Sequence, residues 1–183
     1  LRPLAVHFDN GWNSKLAVKN IVGILKKLDI DLNTYVVDWE EFRDLQLSYL
    51  KASVIDVEMP TDHGFVGALY KLAVQNKVKY ILTGHNYVTE SLLPRHWNYN
   101  KDDAVNLKAI HKAYGSVKLK TFPYYTTLDK LYYFNILRLR RLDPLNYIKY
   151  DKKEVKSLMM DELNWKDYGG KHYESIFTRF YQG

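Results

Sequence analysis

Four short stretches hold residue types that can do chemistry. Asp9-Asn10-Gly11 follows an apolar run. The main chain of Phe8 can there meet the edge of an adenine, and Asp9 a hydroxyl or a metal ion; Asn-Gly equally suits a tight turn with positive φ. Thr83-Gly84-His85-Asn86, with Glu90 close behind, has a glycine that permits close approach and a histidine able to donate to a phosphate. The plainer alternative is a surface loop between strand and helix. Pro60-Thr61-Asp62-His63 reads as a helix start. Free N–H groups there favour anions, but Asp62 repels them, so Asp62 and His63 suit a polar substrate group, unless Thr61 or Asp62 only caps the helix. The fourth stretch sets Lys171, His172, Glu174 and Arg179 around Gly169-Gly170. Such a cluster can clamp a phosphate through charge-assisted hydrogen bonds, or form ordinary ion pairs on a solvated helix. Arg179 is the preferred phosphate ligand because its planar fork binds bidentately. The chain has no P-loop, no dinucleotide glycine fingerprint and no His-Glu-x-x-His.

The elements that must position these residues follow from periodicity. Leu4–Phe8 is short and apolar, a buried strand ending at Asp9. Ser14 caps a helix whose apolar residues recur from Leu16 to Leu28 at helical spacing. Asn33–Trp39 is β-branched and aromatic, a second strand. Glu40–Ala52 is helical with Phe42, Leu45, Tyr49 and Leu50 near one face, and a further helix runs from Pro60 to about Gln75. Lys79–Thr83 is a third strand. Alternating strands and helices predict an α/β fold with a doubly wound parallel sheet, whose ligands bind at the carboxyl ends of the strands. Those ends carry Asp9-Asn10-Gly11, Asp38-Trp39 and Thr83-Gly84-His85-Asn86. Beyond them, Leu92–Lys101 reads as a loop and Asp103–Tyr114 and Asp151–Leu163 as helices. Leu128–Arg141 mixes apolar, aromatic and basic residues, as a helix packed on the body with its arginines in solvent or as a docking face.

Composition bounds the function. The 183 residues are 46% hydrophobic and 26% charged, which excludes a disordered chain. No run reaches the roughly 18 apolar residues of a membrane helix. There is no cysteine, so disulfides, thiol nucleophiles and cysteine-held zinc are excluded from this stretch. A net charge of +6 suits anionic ligands without choosing among nucleotide, RNA and anionic sugar. The sixteen tyrosines suit the edges of a core better than base stacking.

The strand with Asp9-Asn10-Gly11, the Thr83-Gly84-His85-Asn86 element and Pro144-Leu145 followed by Lys153-Glu154-Val155 and Leu158 together resemble the PP-loop ATP pyrophosphatase superfamily, the group of GMP, NAD and asparagine synthetases. A longer set is similar to the N-acetyl sugar amidotransferase family of surface-polysaccharide (lipopolysaccharide and O-antigen) biosynthesis: Val6–Asn13, Pro60-Thr61-Asp62-His63, Leu107–His111, Thr121-Phe122-Pro123 and Tyr168–Gln182.

The resemblance implies a Rossmann-like doubly wound sheet of the adenine nucleotide alpha hydrolase type with a helical C-terminal part, in one domain spanning 1–183. It implies a cytoplasmic enzyme that adenylylates the acetamido oxygen of a free or nucleotide-activated sugar with ATP and Mg2+. Ammonia from a partner glutaminase subunit then yields an acetamidino sugar. The ATP-binding residues implied are Phe8 (through its main chain), Asp9, Gly84 and His85. The catalytic ones are Asp62 and His63 at the sugar and Lys171 and Arg179 at the phosphates. No membrane span, nucleic acid or protein-held metal enters this picture. Two departures stand out. The superfamily's Ser-Gly-Gly-x-Asp-Ser loop is absent, which predicts a chain truncated before Leu1, and at its end, with little ATP hydrolysis of its own. Val88 and Thr89 stand where tRNA-modifying relatives often have paired aspartates. A PP-loop tRNA-modifying enzyme and a non-catalytic nucleotide-binding module remain as alternatives.

Overall fold

The computed structural model describes residues 2–90, 100–170 and 172–182. The chain divides into two compact units, Leu1–Val36 with Tyr150–Gly183, and Val37–Lys149.

In the first unit β1 (Leu4–Asp9) runs parallel to β2 (Asp31–Val36), in register from Leu4 opposite Asp31 to Asp9 opposite Val36. The crossover is α1 (Lys15–Lys27), whose first turn is closed by the Ser14 hydroxyl accepting from the Ala17 N–H at 3.1 Å. The Lys26-Lys27 pair suits the negative end of its dipole. The chain returns through α7 (Lys152–Leu163), capped by the Asp151 carboxylate, and α8 (Ile176–Gln182). Asn20 of α1 holds the segment after α7 by two reciprocal bonds to the main chain of Lys166, at 2.8 and 3.0 Å.

The second unit holds α2 (Trp39–Lys51), α3 (Met59–Gln75), β3 (Tyr80–Leu82), the single turn α4 (Tyr87–Glu90), α5 (Ala104–Tyr114), α6 (Thr127–Leu131) and β4 (Arg140–Leu142). α6 passes into one π-helical turn, Tyr132–Ile136. β3 and β4 are parallel, from Tyr80 opposite Arg140 to Leu82 opposite Leu142. Phe42, Leu45 and Tyr49 of α2, Met59 of α3 and Leu107 of α5 are fully buried. Ile81, Leu139, Tyr70, Ala73 and Tyr125 form a second cluster under the strand pair.

The fold is thus mixed α/β with parallel strands, and among the described residues those strands stand as two separate pairs. Four expectations are corrected. The second strand stops at Val36, because Asp38 turns to cap α2 by accepting from Glu41 N–H at 3.0 Å; Asp38-Trp39 is a helix start, not a strand end. α3 begins at Met59 with Pro60 in its first turn and no side-chain cap, so neither Thr61 nor Asp62 caps it. The Leu128–Arg141 stretch is helical only in its first part. Arg138 takes a positive φ of 55° and breaks the helix, and Arg140–Leu142 pairs with β3. Leu50 is 40% exposed rather than part of the core face. Most of the expected Leu92–Lys101 loop, residues 92–99, lies outside the described residues.

Candidate functional site

The carboxyl ends of β3 and β4 converge on one polar cluster. The ladder's next bond beyond Leu82 runs from Thr83 N–H to the Leu142 carbonyl at 3.0 Å, which sets Thr83 beside Asp143. The Thr83 hydroxyl donates to the Asp143 carboxylate. Arg141 Nε donates to the same carboxylate at 3.0 Å, and His85 Nδ1 lies 3.9 Å from its other oxygen. The Thr83 hydroxyl bond holds Asp143 below the usual carboxylate range against the opposing effect of burial, and the Arg141 guanidinium and His85 add to the lowering. Gly84 sits in the middle of this cluster, and a Cβ added there meets nothing within 4 Å. The geometry offers an open glycine backbone flanked by a guanidinium and an imidazole, with the one carboxylate already engaged. Such a place can take a phosphate group.

In the first unit the turn after β1 is built from side chains. Asp9 accepts from Gly11 N–H at 3.0 Å and Asn10 from Trp12 N–H at 3.2 Å, with Gly11 at φ 79°. The terminal motif packs on this turn. Asn13 and Ser175 form an antiparallel bridge, Ser14 N–H donates to the Glu174 carbonyl at 2.8 Å, and Ile176 N–H donates to the Trp12 carbonyl at 2.8 Å. Two motifs far apart in sequence, Val6–Asn13 and the end of Tyr168–Gln182, are therefore neighbours. Phe8 is buried against Tyr35, with ring centroids 6.2 Å apart. Arg179 is exposed, its guanidinium 4.5 Å from the centre of the Tyr173 ring.

Asp62 and His63 have structural partners. Lys101 is shared by Asp62, at 2.8 Å, and Asp56. His63 is fully buried. Its Nδ1 lies 2.7 Å from the Lys101 carbonyl, its Nε2 accepts from Tyr125 N–H at 3.3 Å, and its ring stacks on that of Tyr125 at 4.4 Å and 7°. These partners fix the tautomer with the proton on Nδ1. Burial keeps the ring neutral, pushing its pKa below the ordinary value despite the Lys101 carbonyl and nearby aspartates. Phe8, Asp9 and Arg179 thus belong to the first unit and Asp62, His63, Gly84 and His85 to the second; Lys171 lies outside the described residues.

Sequence reasoning misses Asp143, reads Arg141 as a solvated helix residue, and misses the buried pair Glu41 and Asp44 on α2. Asp44 accepts from Ser116 N–H and Oγ, Val117 N–H and His111 Nε2. Glu41 accepts from Thr121 and Phe122 N–H. Two carboxylates one helical turn apart therefore pin the 116–122 segment, which leads into the Thr121-Phe122-Pro123 motif. The available signal is a pair of acids at positions 41 and 44 beside the core residues Phe42 and Leu45.

Among the described residues no group of three or more His, Asp or Glu is disposed to hold a metal ion. No helix among them is long and apolar enough to cross a membrane. Comparison of the chain with protein-family models, with curated proteins and with solved structures yields no match.

Proposed function

We propose that the chain binds an adenine nucleotide as part of an ATP-dependent sugar amidotransferase of the PP-loop type, with a doubly wound sheet as its finer fold. The observation that carries this is the polar cluster at the carboxyl ends of the parallel β3–β4 pair, where Thr83, His85 and Arg141 surround the open backbone of Gly84. Ligands of parallel α/β sheets bind at that end of the strands. Arg141 and His85 would hold phosphate oxygens and balance their charge. In the other unit, and apart from this cluster, the exposed Arg179 guanidinium lies over the Tyr173 ring.

In the reaction proposed, the acetamido oxygen attacks the α-phosphorus of ATP, the bond to pyrophosphate breaks, and the amide loses a proton. Ammonia then adds to the activated carbon and AMP departs with the former amide oxygen. The protein's part is to position the two substrates and offset the polyphosphate charge. Residues 1–183 contain no Ser-Gly-Gly-x-Asp-Ser loop, so turnover is expected of a chain that carries one. It should require both an acetamido sugar and an ammonia source.

Nucleotide binding by residues 1–183 is the direct test. Gly84 has no positive φ and open space where a Cβ would go, so Gly84→Val should leave the melting temperature unchanged. It should weaken AMP and ATP binding by about tenfold or more, ~1.4 kcal/mol, in calorimetric titration. Equal affinity in the parent and Gly84→Val would remove the nucleotide from this site.

A further inference from the structure

Beside α5 and α6 lies an open cavity of about 600 Å3, within the size range that takes a small molecule. Its fixed charges cancel: Lys108 and Lys130 line it together with Asp102 and Asp103. Neither a phosphate nor a cation gains net Coulombic attraction from such a lining. All four already have partners. Asp103 caps α5 by accepting from Asn106 N–H at 2.8 Å, and the Lys108 ammonium lies 3.8 Å from the centre of the Tyr124 ring.

Asp102 differs. The Tyr125 hydroxyl donates to one of its oxygens and Lys130 Nζ to the other, while 42% of its side chain remains exposed. This gives a carboxylate of fixed orientation with acceptor capacity left over. Behind it, His63 stacks on Tyr125 and accepts from its main-chain N–H, so the wall of the cavity is anchored in the core. Phe134 and Leu131 supply apolar lining, and the Phe134 ring is locked edge-on against Tyr70 at 5.5 Å and 89°. Asn135 adds an amide that both donates and accepts. A rigid carboxylate, an amide and an aromatic face without net charge match one class of small molecule well. A pyranose has an apolar C–H face and a rim of hydroxyls, each donor and acceptor at once.

We propose that this cavity binds an uncharged pyranose, with Asp102 and Asn135 on its hydroxyls and Phe134 against its C–H face. The site rests on the reading above for the identity of the ring, an acetamido sugar. The Asp62-His63 motif then serves the sugar from behind the wall, through Lys101 and Tyr125, rather than by touching it.

The test is titration of the 183-residue chain with the methyl glycoside of N-acetylglucosamine, followed by saturation-transfer NMR and calorimetry, with AMP as a second probe. The parent should bind the glycoside. Asp102→Asn, which keeps the shape of the side chain, should bind about tenfold more weakly. Leu131→Trp should abolish binding by filling the cavity; Leu131 is 52% exposed, so the larger ring can be accommodated. Melting temperatures report whether each variant is folded. No glycoside binding by the parent, or equal binding by both folded variants, overturns the site. Glycoside binding without AMP binding keeps the cavity and discards the nucleotide reading. AMP binding that Gly84→Val abolishes, without glycoside binding, does the reverse.

Discussion

Asp44 is nearly buried and would by that fact alone be harder to ionise; the bonds it accepts from Val117, Ser116 and His111 outweigh the burial and hold its pKa at about 2. The sign of the consequence follows from linkage. A carboxylate depressed from 3.8 to about 2 contributes stability that is fully present above pH 3.8 and is lost as pH falls through 2. The loss should come to about 2 kcal/mol. His63 acts in an earlier window. Its folded pKa lies below 6.5, so the unfolded chain binds the proton first and stability declines as pH drops from 6.5. Urea unfolding measured between pH 7 and 2 should therefore show two declines, and Asp44→Asn should flatten only the acid one. A decline unaltered by that substitution would assign it to other carboxylates. Neither residue's role was legible in the sequence. Hydrophobic periodicity marks Phe42 and Leu45 but is silent on an acid that turns inward, and the partners of Asp44 lie 67 to 73 residues away.

Among elements, α3 and the 122–125 segment approach closely at Gly67. A Cβ there would stand 1.7 Å from the Pro123 carbonyl oxygen. Helix propensity alone favours Gly67→Ala by about 1 kcal/mol. The clash is far inside van der Waals contact and involves main chain on the other side, so overpacking wins, and the substitution should destabilise by about 3 kcal/mol. Gly23 of α1 has nothing within 4 Å of the same position, and Gly23→Ala should gain up to about 1 kcal/mol. Chemical denaturation of the two variants checks the opposite signs; a stabilising Gly67→Ala would mean that α3 and Pro123 do not pack as described. Helices α1, α2, α3, α5 and α7 were legible, with Ser14 and Asp103 capping as their types suggest. β4 was not. Three exposed residues, two of them arginine, give no alternation to detect, and only pairing with β3 makes them a strand.

At the scale of the molecule, strand–helix alternation conveyed the α/β class and the parallel sense, because a strand, a helix and a second strand admit few other connections. The division into two units was not conveyed. The first unit combines the chain's two ends, and no local composition shift marks Val36 or Tyr150. The carboxylate clamp of α2 has a consequence for how quickly the second unit forms and comes apart. Glu41 and Asp44 reach donors 67 to 81 residues along the chain. Closing so long a loop costs entropy before any bond is returned, whereas α2, α3 and α5 are local structures. The clamp should therefore consolidate on the native side of the rate-limiting barrier. Stopped-flow measurements at neutral pH should find that Asp44→Asn unfolds faster while refolding at nearly the parental rate. A slowed refolding limb would place this long-range contact in the nucleus.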